Sequence, residues 1–377
     1  MNVTILRRLP QVEDIIKAFP LSKKAEKQIE QDRQEVKEIL EGKDSRFLIV
    51  VGPCSAWPKE AVLAYAKKLK PLADKLKDSL KIVMRVYIQK PRTTTGWTGP
   101  VNQSDPFKPS HIGEGAKYCR EMMVKVVEMG LPIADEAVFT HNAKGFIELL
   151  SWVAIGARST EDQEHRVFAS SLDCAVGMKN PTSGSVEIGV NSVVAAQYPH
   201  TAVFDGSEVQ TSGNAHAHLI LRGGAQGANY GEQHVREAKE RMEKLNIKNP
   251  AVILDVSHDN CKINGVKNHC NQVTVAEEAI AMLRKAPELR KVVRGFMLES
   301  FIKEGSQKVD AKAQEKLDRS GLSITDPCLG WEQTVAVLEE MAGFRKKLSY
   351  RGRVVTTPVL ADSDTPFIKG DKEKQCR

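Results

Sequence analysis

The sequence predicts an α/β protein, a TIM-type (β/α)8 barrel with an N-terminal helical extension and a short β excursion before the sixth barrel strand. Short apolar runs alternate with helical segments along most of the chain, as in parallel α/β folds. Most runs are continuously apolar, which is typical of strands buried on both faces. Eight such repeats favour a closed barrel over an open sheet, and 377 residues are enough for a barrel with additions.

Residues 1–45 are predicted to form an N-terminal arm with one helix. Ser22 is a suitable N-cap and Gly42 a suitable residue to end that helix. Between them, apolar side chains recur at helical spacing, at Ala25, Ile29, Val36, Ile39 and Leu40. We assign residues 46–348 to the barrel and 349–377 to a polar tail that is predicted to be disordered.

The predicted strands are nine apolar runs separated by helical or polar segments. They are FLIVVG (47–52), IVMRVY (82–87), LPIADE (131–136), WVAIGA (152–157), CAVGMK (174–179), TAVF (201–204), HLILRG (218–223), AVILDVS (251–257) and GFMLES (295–300). TAVF is short and precedes the polar segment DGSEVQTSGN instead of a helix, so it is interpreted as the excursion. Clear helices are predicted at 59–77, 231–245 and 274–286.

Composition and charge exclude several classes of protein. The net charge of +7 is spread along the chain, and no block of five like charges favours nucleic-acid binding. No apolar run approaches the roughly 18 residues of a transmembrane helix, and the start MNVTILRRLP does not resemble a signal peptide. Seven cysteines without framework spacing suit a reducing compartment. We therefore expect a cytoplasmic protein that binds neither nucleic acid nor membrane.

An ionisable or metal-liganding side chain ends or follows each predicted barrel strand, where TIM barrels carry their catalytic groups. Six of these side chains are cations: Arg85, Lys90, Arg92, Arg158, Lys179 and Arg222. Buried cations need anions, and the strand ends hold no matching number of carboxylates, so anionic ligands are predicted. Six cations could hold two phosphates and a carboxylate. For any single one, an ordinary surface residue remains the alternative.

A second set at the strand ends could hold a divalent metal ion. It comprises Cys54, His258, Glu299 and Asp326, whose mixture of hard and soft donors does not select one metal. Taken alone, Cys54 could be a buried apolar residue and His258 a loop histidine. A rival zinc site of His258, Cys261, His269 and Cys270 lies within SHDNCKINGVKNHC, but its spacing fits no regular finger.

Several long motifs resemble those of the type I 3-deoxy-D-arabino-heptulosonate 7-phosphate (DAHP) synthases. They are GPCS (52–55), MRVYIQKPRTTTGWTG (84–99), IGARSTEDQEHR (155–166), VGMKN (176–180), TSGNAHAHLILRGG (211–224), DVSHDN (255–260), MLES (297–300) and SITDPCLGW (323–331). The resemblance implies condensation of phosphoenolpyruvate with erythrose 4-phosphate, releasing phosphate, as the first step of the shikimate pathway.

The resemblance also implies roles for individual residues. Phosphoenolpyruvate would bind to Arg85, Lys90, Ala157, Arg158, Lys179 and Arg222, and erythrose 4-phosphate to Pro91, Arg92, Thr93 and Asp326. Cys54, His258, Glu299 and Asp326 would hold the metal, with Mn²⁺ favoured over Fe²⁺, Co²⁺ or Zn²⁺. Lys90, Glu136 and His258 would be catalytic, with Lys90 donating a proton and Glu136 handling water. A homodimer or homotetramer is expected.

Three departures from the resemblance concern feedback inhibition by aromatic amino acids. The N-terminal arm is shortened, Asp173 stands where relatives commonly carry Ser, and the excursion is short and lacks an apolar second strand. We therefore expect weak or absent feedback, which would suit a specialised-metabolite pathway; a rebuilt effector pocket is the alternative. Rival functions are an arabinose 5-phosphate-using synthase, a non-catalytic paralogue and a metal-dependent hydrolase. The KPRTT segment and the filled site positions argue against the first two, and the six cations against the third.

Overall fold

The centre of the protein is a closed barrel of eight parallel strands, which confirms the predicted TIM barrel. The computed structural model describes residues 1–93, 95–138, 145–204 and 206–351, with side chains as far as residue 348. The predicted tail falls outside these residues except for 349–351, which belong to the last helix. No helix in the described ranges is both long and apolar enough to cross a membrane.

The eight barrel strands follow one another around the ring in chain order, and the strand numbers skip those of two small hairpins outside the barrel. They are β1 (Phe47–Gly52), β2 (Leu80–Arg85), β3 (Ile133–Ala137), β4 (Trp152–Ile155), β5 (Ala175–Lys179), β8 (His218–Leu221), β9 (Val252–Asp255) and β12 (Val293–Glu299). The barrel closes because β1 pairs in parallel with both β2 and β12. Strand β2 ends at Arg85 and not at Tyr87 as predicted, so a buried irregular segment leads from the strand to Lys90.

Helices connect the strands on the outside of the barrel. They are α1 (Val12–Ala18), α2 (Lys23–Glu41), α3 (Lys59–Leu76), α4 (Ile112–Glu128), α5 (Gln163–Ser171), α6 (Val186–Gln197), α7 (Glu232–Lys244), α8 (Asn271–Lys285) and α9 (Trp331–Arg351). The predicted helices at 59–77, 231–245 and 274–286 correspond to α3, α7 and α8.

Two small hairpins lie outside the barrel. Strands β6 (Thr201–Phe204) and β7 (Ser207–Gln210) pair antiparallel, which confirms the excursion before the sixth barrel strand. Strands β10 (Lys262–Ile263) and β11 (Val266–Lys267) form a second hairpin after β9, which we did not predict. Its turn is Asn264–Gly265, and both residues have positive φ, at 51° and 79°. Asn-Gly is the preferred pair for a type I′ turn, so the hairpin has a local sequence signal.

The N-terminal arm contains two helices, so the prediction of one helix was wrong. Helix α1 has only seven residues, too few to show a clear periodic pattern. A contact from another helix holds its end in place: Arg120 on α4 is buried and donates from Nε to the carbonyl of Phe19 at 3.0 Å. The ends predicted for α2 are correct: Ser22 Oγ accepts from the amide of Ala25, and Gly42 ends the helix at φ 79°.

Helix α2 closes the end of the barrel where the strands begin. Its apolar face, Val36, Ile39 and Leu40, belongs to the same core cluster as the side chains of the barrel interior, among them Leu48 and Met297. A second core cluster packs the outer face of the strands against the surrounding helices. The amphipathic pattern of α2 therefore seals the interior from the side opposite the strand ends.

We expect Ile39→Ala to destabilise the protein by about 2–5 kcal/mol, because Ile39 is fully buried and its truncation leaves a cavity under the barrel. Chemical denaturation monitored by circular dichroism would measure the change. Glu30, which is exposed on the same helix, serves as a control, since Glu30→Ala should change the free energy of unfolding by less than about 0.5 kcal/mol. Equal effects of the two substitutions would contradict this role of α2.

His218, at the start of β8, should make stability depend on pH. Its Nε2 accepts from Trp152 Nε1 at 3.2 Å, its Nδ1 lies 2.9 Å from the His216 carbonyl, and burial lowers its pKa to about 4. Below pH 6.5 the unfolded chain binds a proton that the folded protein does not, so stability falls as pH drops from 6.5 to about 4. The full loss is about 3 kcal/mol. His218→Gln should flatten this dependence in unfolding experiments from pH 7 downward, and an unchanged profile would contradict the assignment.

Candidate active site at the carboxyl end of the barrel

The side chains predicted from the strand ends gather on one rim, where the carboxyl ends of the eight strands meet. Each is one of the last two residues of its strand or follows the strand within three residues: Cys54 after β1, Arg85 in β2, Glu136 in β3, Arg158 after β4, Lys179 in β5, Arg222 after β8, His258 after β9 and Glu299 in β12. Parallel strands all present their carboxyl ends at the same edge, so this gathering follows from the fold.

Two of the predicted cations are buried and paired with carboxylates across the barrel. Arg85 donates from Nη2 to Glu299 Oε1 at 3.0 Å, and Lys179 donates from Nζ to Glu136 Oε2 at 2.6 Å. Each pair joins strands two apart in the ring, β2 with β12 and β3 with β5. Side chains from alternate strands share a layer inside a TIM barrel, which explains why these groups meet.

A third pair involves Arg222, whose Nη1 donates to Asp259 in the loop after β9. The expectation that the cations lack carboxylates of the chain was therefore wrong for Arg85, Lys179 and Arg222. Two of them keep unused donors. Arg85 Nη1 and Arg222 Nε are buried and have no hydrogen-bond partner among the described residues. Because an unpaired buried donor is costly, both nitrogens are suited to bind a further anion.

Lys90 is buried at the rim beside Cys54. Its Nζ donates to the Cys54 carbonyl at 2.7 Å and lies 3.2 Å from Sγ of the same residue. Burial opposes the positive charge, but Cys54, Glu299 and Glu136 outweigh it and raise the pKa of Lys90. The ammonium group is therefore charged at neutral pH.

The loop after Lys90 brings exposed groups to the same rim. Arg92 and Thr93 are exposed, and Arg158 donates from Nη2 to Thr93 Oγ1 at 2.8 Å. This bond joins the loops that follow β2 and β4. Pro91 and Ala157, which neighbour these side chains in sequence, are partly buried. The segment predicted to hold the sugar phosphate thus contacts a residue predicted to bind phosphoenolpyruvate.

The predicted metal ligands come together at the same rim. One ligand atom each of Cys54, Glu299 and Asp326 lies within 4.8 Å of the others. His258 Nε2 is 3.5 Å from Glu299 Oε1, which places the fourth predicted ligand at the same cluster. A thiol, an imidazole and two carboxylates suit a divalent transition metal, so the residues present fit such an ion.

Asp255 orients His258 and was not predicted as a site residue. His258 Nδ1 lies 2.6 Å from Asp255 Oδ2, while Ser257 Oγ lies 2.8 Å from the same nitrogen. His258 adopts a left-handed backbone conformation with φ 51°, which is uncommon for a residue other than glycine. A carboxylate behind the imidazole is the usual arrangement for a metal-binding histidine.

Lys267 is a further site residue that the sequence analysis missed. It lies on β11, is mostly buried, and donates from Nζ to Asp326 Oδ2. Burial opposes its charge, but Asp326 and Glu299 raise the pKa of Lys267 above its usual value. The hairpin β10–β11 therefore adds a cation next to the predicted metal ligands.

Two adjacent carboxyl groups on β3 have opposite properties. Burial alone would raise the pKa of Glu136, but Lys179 and Lys90 lower it to about 2. Burial raises the pKa of Asp135 to about 8, although its Oδ1 accepts from the amides of Ile88 and Glu136 at 3.1 and 2.8 Å. Glu136 is thus an ionised acceptor at the rim, whereas Asp135 holds the segment that leads to Lys90.

The rival zinc site does not assemble in the part of the chain that the structure describes. His269 and Cys270 lie with Glu304 in a second group of possible ligands, whereas Cys261 is buried and donates to the His258 carbonyl at 3.3 Å. The β10–β11 hairpin separates the two halves of the motif. His258 instead belongs to the rim cluster with Glu299.

The site residues that were not predicted lie within sequence motifs described above. Asp255 and Asp259 are in DVSHDN, and Lys267 is in SHDNCKINGVKNHC. An Asp three residues before a metal-binding His is a local signal that could have identified Asp255. For Lys267 no local signal distinguishes it from a surface residue, because its partner Asp326 is 59 residues away in the sequence.

Comparison with known proteins identifies the family. The DAHP synthetase I family model matches residues 19–339 of the chain. The chain belongs to this family. The prediction from the motifs is therefore confirmed, and the matched residues include every predicted site residue from Cys54 to Asp326.

Curated relatives of this DAHP synthetase I chain span nearly its whole length. A Tyr-sensitive phospho-2-dehydro-3-deoxyheptonate aldolase from Salmonella typhimurium is 40% identical over 346 residues, covering 90% of this chain and 94% of the relative. A Phe-sensitive phospho-2-dehydro-3-deoxyheptonate aldolase from Escherichia coli is 38% identical over 334 residues, covering 87% and 92%. The solved structure of phospho-2-dehydro-3-deoxyheptonate aldolase from Francisella tularensis has a TM-score of 0.85 and 35% identity, covering 92% of this chain and 99% of its own.

Proposed function

We propose that the protein is a DAHP synthase, which condenses phosphoenolpyruvate with D-erythrose 4-phosphate and releases phosphate as the first step of the shikimate pathway. The observation that carries this proposal is the arrangement of the rim. Buried cations with unused donors share the rim with a cluster of metal-binding side chains, and Lys90 Nζ lies 3.2 Å from Sγ of Cys54 in that cluster. The family match supports the same reaction.

Two anionic substrates would occupy neighbouring parts of the rim. Phosphoenolpyruvate is assigned to Arg85, Lys90, Ala157, Arg158, Lys179 and Arg222, and erythrose 4-phosphate to Pro91, Arg92, Thr93 and Asp326. The bond between Arg158 and Thr93 supports this order, because it joins the two groups. Fixed cations bring the two anions together despite their mutual repulsion, which contributes proximity and charge stabilisation.

The metal site is assigned to Cys54, His258, Glu299 and Asp326. A divalent ion bound there, Mn²⁺ by preference, would supply Lewis-acid polarisation of the aldehyde oxygen of erythrose 4-phosphate. The protein contributes the orientation of the donors. Asp255 holds the imidazole of His258, and Lys267 shares Asp326.

The protein's own side chains account for the proton and water steps. C3 of phosphoenolpyruvate forms the new bond to the aldehyde carbon, and Lys90 Nζ donates a proton to the oxygen that becomes the hydroxyl group. Water then adds at C2, and phosphate leaves from that carbon as its new hydroxyl becomes the ketone. Of the two protons of the water, one returns to Lys90 Nζ and the other leaves with the phosphate. Glu136 is held ionised by Lys179, so it can accept a hydrogen bond from this water. Its pKa of about 2 suits orientation of the water better than storage of a proton.

The same proposal includes weak or absent feedback by aromatic amino acids, with service in a specialised-metabolite pathway. The excursion supports it, because β6 and β7 have four residues each and are largely exposed. Relatives named Tyr-sensitive and Phe-sensitive are the proteins against which the feedback response of this chain can be compared.

An assembly of two or four copies is also proposed, and the exposed apolar side chains of Val3, Ile5 and Leu6 on the arm support it.

The test is release of phosphate from phosphoenolpyruvate with erythrose 4-phosphate or arabinose 5-phosphate. It is run after chelation, after addition of Mn²⁺, and with Phe, Tyr or Trp at millimolar concentration. We expect Mn²⁺-restored turnover with erythrose 4-phosphate, little with arabinose 5-phosphate, and less than half inhibition by each amino acid. Absence of turnover with every metal would favour the non-catalytic paralogue, and strong inhibition would contradict the feedback proposal alone.

A further inference from the structure

Tyr87 has three of the rim cations around its ring. It follows β2 by two residues, is fully buried and belongs to the core cluster of the barrel interior. Arg85 Cζ lies 4.0 Å from the ring centroid, and the Nζ atoms of Lys179 and Lys90 lie at 5.7 and 5.8 Å. No other aromatic ring of the described residues lies near more than two cations.

Three positive groups that share one buried ring would repel one another. Glu299 and Glu136 neutralise two of them, but Lys90 has no carboxylate bonded to it in the described part of the chain. The face of an aromatic ring carries partial negative charge and attracts cations, most strongly where water is excluded. The ring of Tyr87 therefore offsets part of the repulsion without adding an anion that would compete with a substrate.

The hydroxyl group of Tyr87 does not account for the placement of the ring. It is buried and has no hydrogen-bond partner among the described residues. The hydroxyl therefore fixes no described neighbour in place, and the Tyr87→Phe variant below tests whether it has a role of its own. The contacts made by this side chain are those of its ring.

We infer that Tyr87 is a positioning residue, whose ring holds Arg85, Lys90 and Lys179 at the spacing that binds the phosphoenolpyruvate anion. This inference rests on the proposed function, because it assigns those cations to phosphoenolpyruvate. The role of the ring differs from that of the catalytic groups, because the ring affects the affinity for phosphoenolpyruvate and does not exchange protons.

The test is calorimetric titration of phosphoenolpyruvate into the Mn²⁺-loaded full chain without the second substrate. Tyr87→Phe keeps the ring, so its Kd should stay within about twofold of the wild type. Tyr87→Leu removes the ring and should raise Kd about tenfold or more. A trifluorinated phenylalanine at the same position keeps the shape but weakens the partial negative charge of the face, so its Kd should lie between these values. The KM for phosphoenolpyruvate should follow Kd, and kcat should change less.

Tyr65→Leu is the matched control. Tyr65 is equally buried and its hydroxyl bonds to Ser300, but none of the described cations lies over its ring. We expect a lower melting temperature with little change in Kd. Equal Kd for the phenylalanine and the trifluorinated variants would overturn the inference, as would weak binding by Tyr87→Phe, which would assign the role to the hydroxyl. A wild-type protein that fails to bind phosphoenolpyruvate would overturn the proposed function instead.

Discussion

Lys90→Met is expected to lower kcat about 10³-fold, because it removes the proton donor proposed for the new hydroxyl group. Methionine keeps most of the length and apolar character of the side chain, so the buried position is refilled. The ammonium group donates to the Cys54 carbonyl at 2.7 Å and is charged in the folded protein. No other described ammonium group contacts both Cys54 and the ring of Tyr87, so no neighbour can replace it.

Single-turnover measurements of DAHP formation separate the two effects of this substitution. Affinity for phosphoenolpyruvate should fall by about tenfold through loss of one charge, and the remaining loss should appear in the chemical step. Lys75→Met is the control, because Lys75 is exposed on α3 and pairs with Glu339 away from the rim. A decrease in kcat smaller than tenfold would remove Lys90 from the role of proton donor.

Cys54→Ala is expected to remove the bound metal and lower turnover about 10³-fold or more, since metal polarisation contributes several kcal/mol to such reactions. Cys54 is buried, its Sγ lies 3.2 Å from Lys90 Nζ, and its ligand atom lies within 4.8 Å of those of Glu299 and Asp326. Alanine leaves two carboxylates and an imidazole. Cys54→Ser should retain weak binding, because a hydroxyl is a poorer ligand than a thiolate for a transition metal.

Metal content is measured directly by atomic absorption after dialysis against Mn²⁺, independently of activity. Cys174→Ala is the matched control, because Cys174 is also buried and unpaired but precedes β5, at the opposite end of the barrel. We expect one metal per chain in the wild type and in this control, and a large loss in Cys54→Ala. Full metal content in Cys54→Ala would place the metal elsewhere.

The outcomes for individual elements show which predictions a sequence supports. Helix α2 was predicted with its two ends because caps and apolar spacing are local signals. Helix α1 was missed because seven residues give too short a pattern, and its stability depends on Arg120 of α4. The hairpin β10–β11 was also missed, although Asn264–Gly265 is a local signal for its turn.

The candidate site divides in a similar way. The presence of cations and metal-binding side chains at the strand ends could be predicted, because residues that follow apolar runs are evident in the sequence. Their partners could not. Glu299 pairs with Arg85 over a separation of 214 residues, and Lys267 pairs with Asp326 over 59. The inferred shortage of carboxylates was wrong for the same reason, because counting residues along the chain does not reveal which side chains pair between alternate strands.

The sequence by itself determined the fold class, the family and the kinds of side chain on the rim. These depend on the order of apolar runs, helical spacing and long motifs, all of which are local or are read in chain order. Only the tertiary structure decided which charges neutralise one another, which donors of Arg85 and Arg222 stay unused, and that Tyr87 lies among three cations. Closing eight strands into a ring brings residues from alternate strands into one layer, and Coulomb and hydrogen-bond energies act over those few ångströms, whatever the separation in sequence.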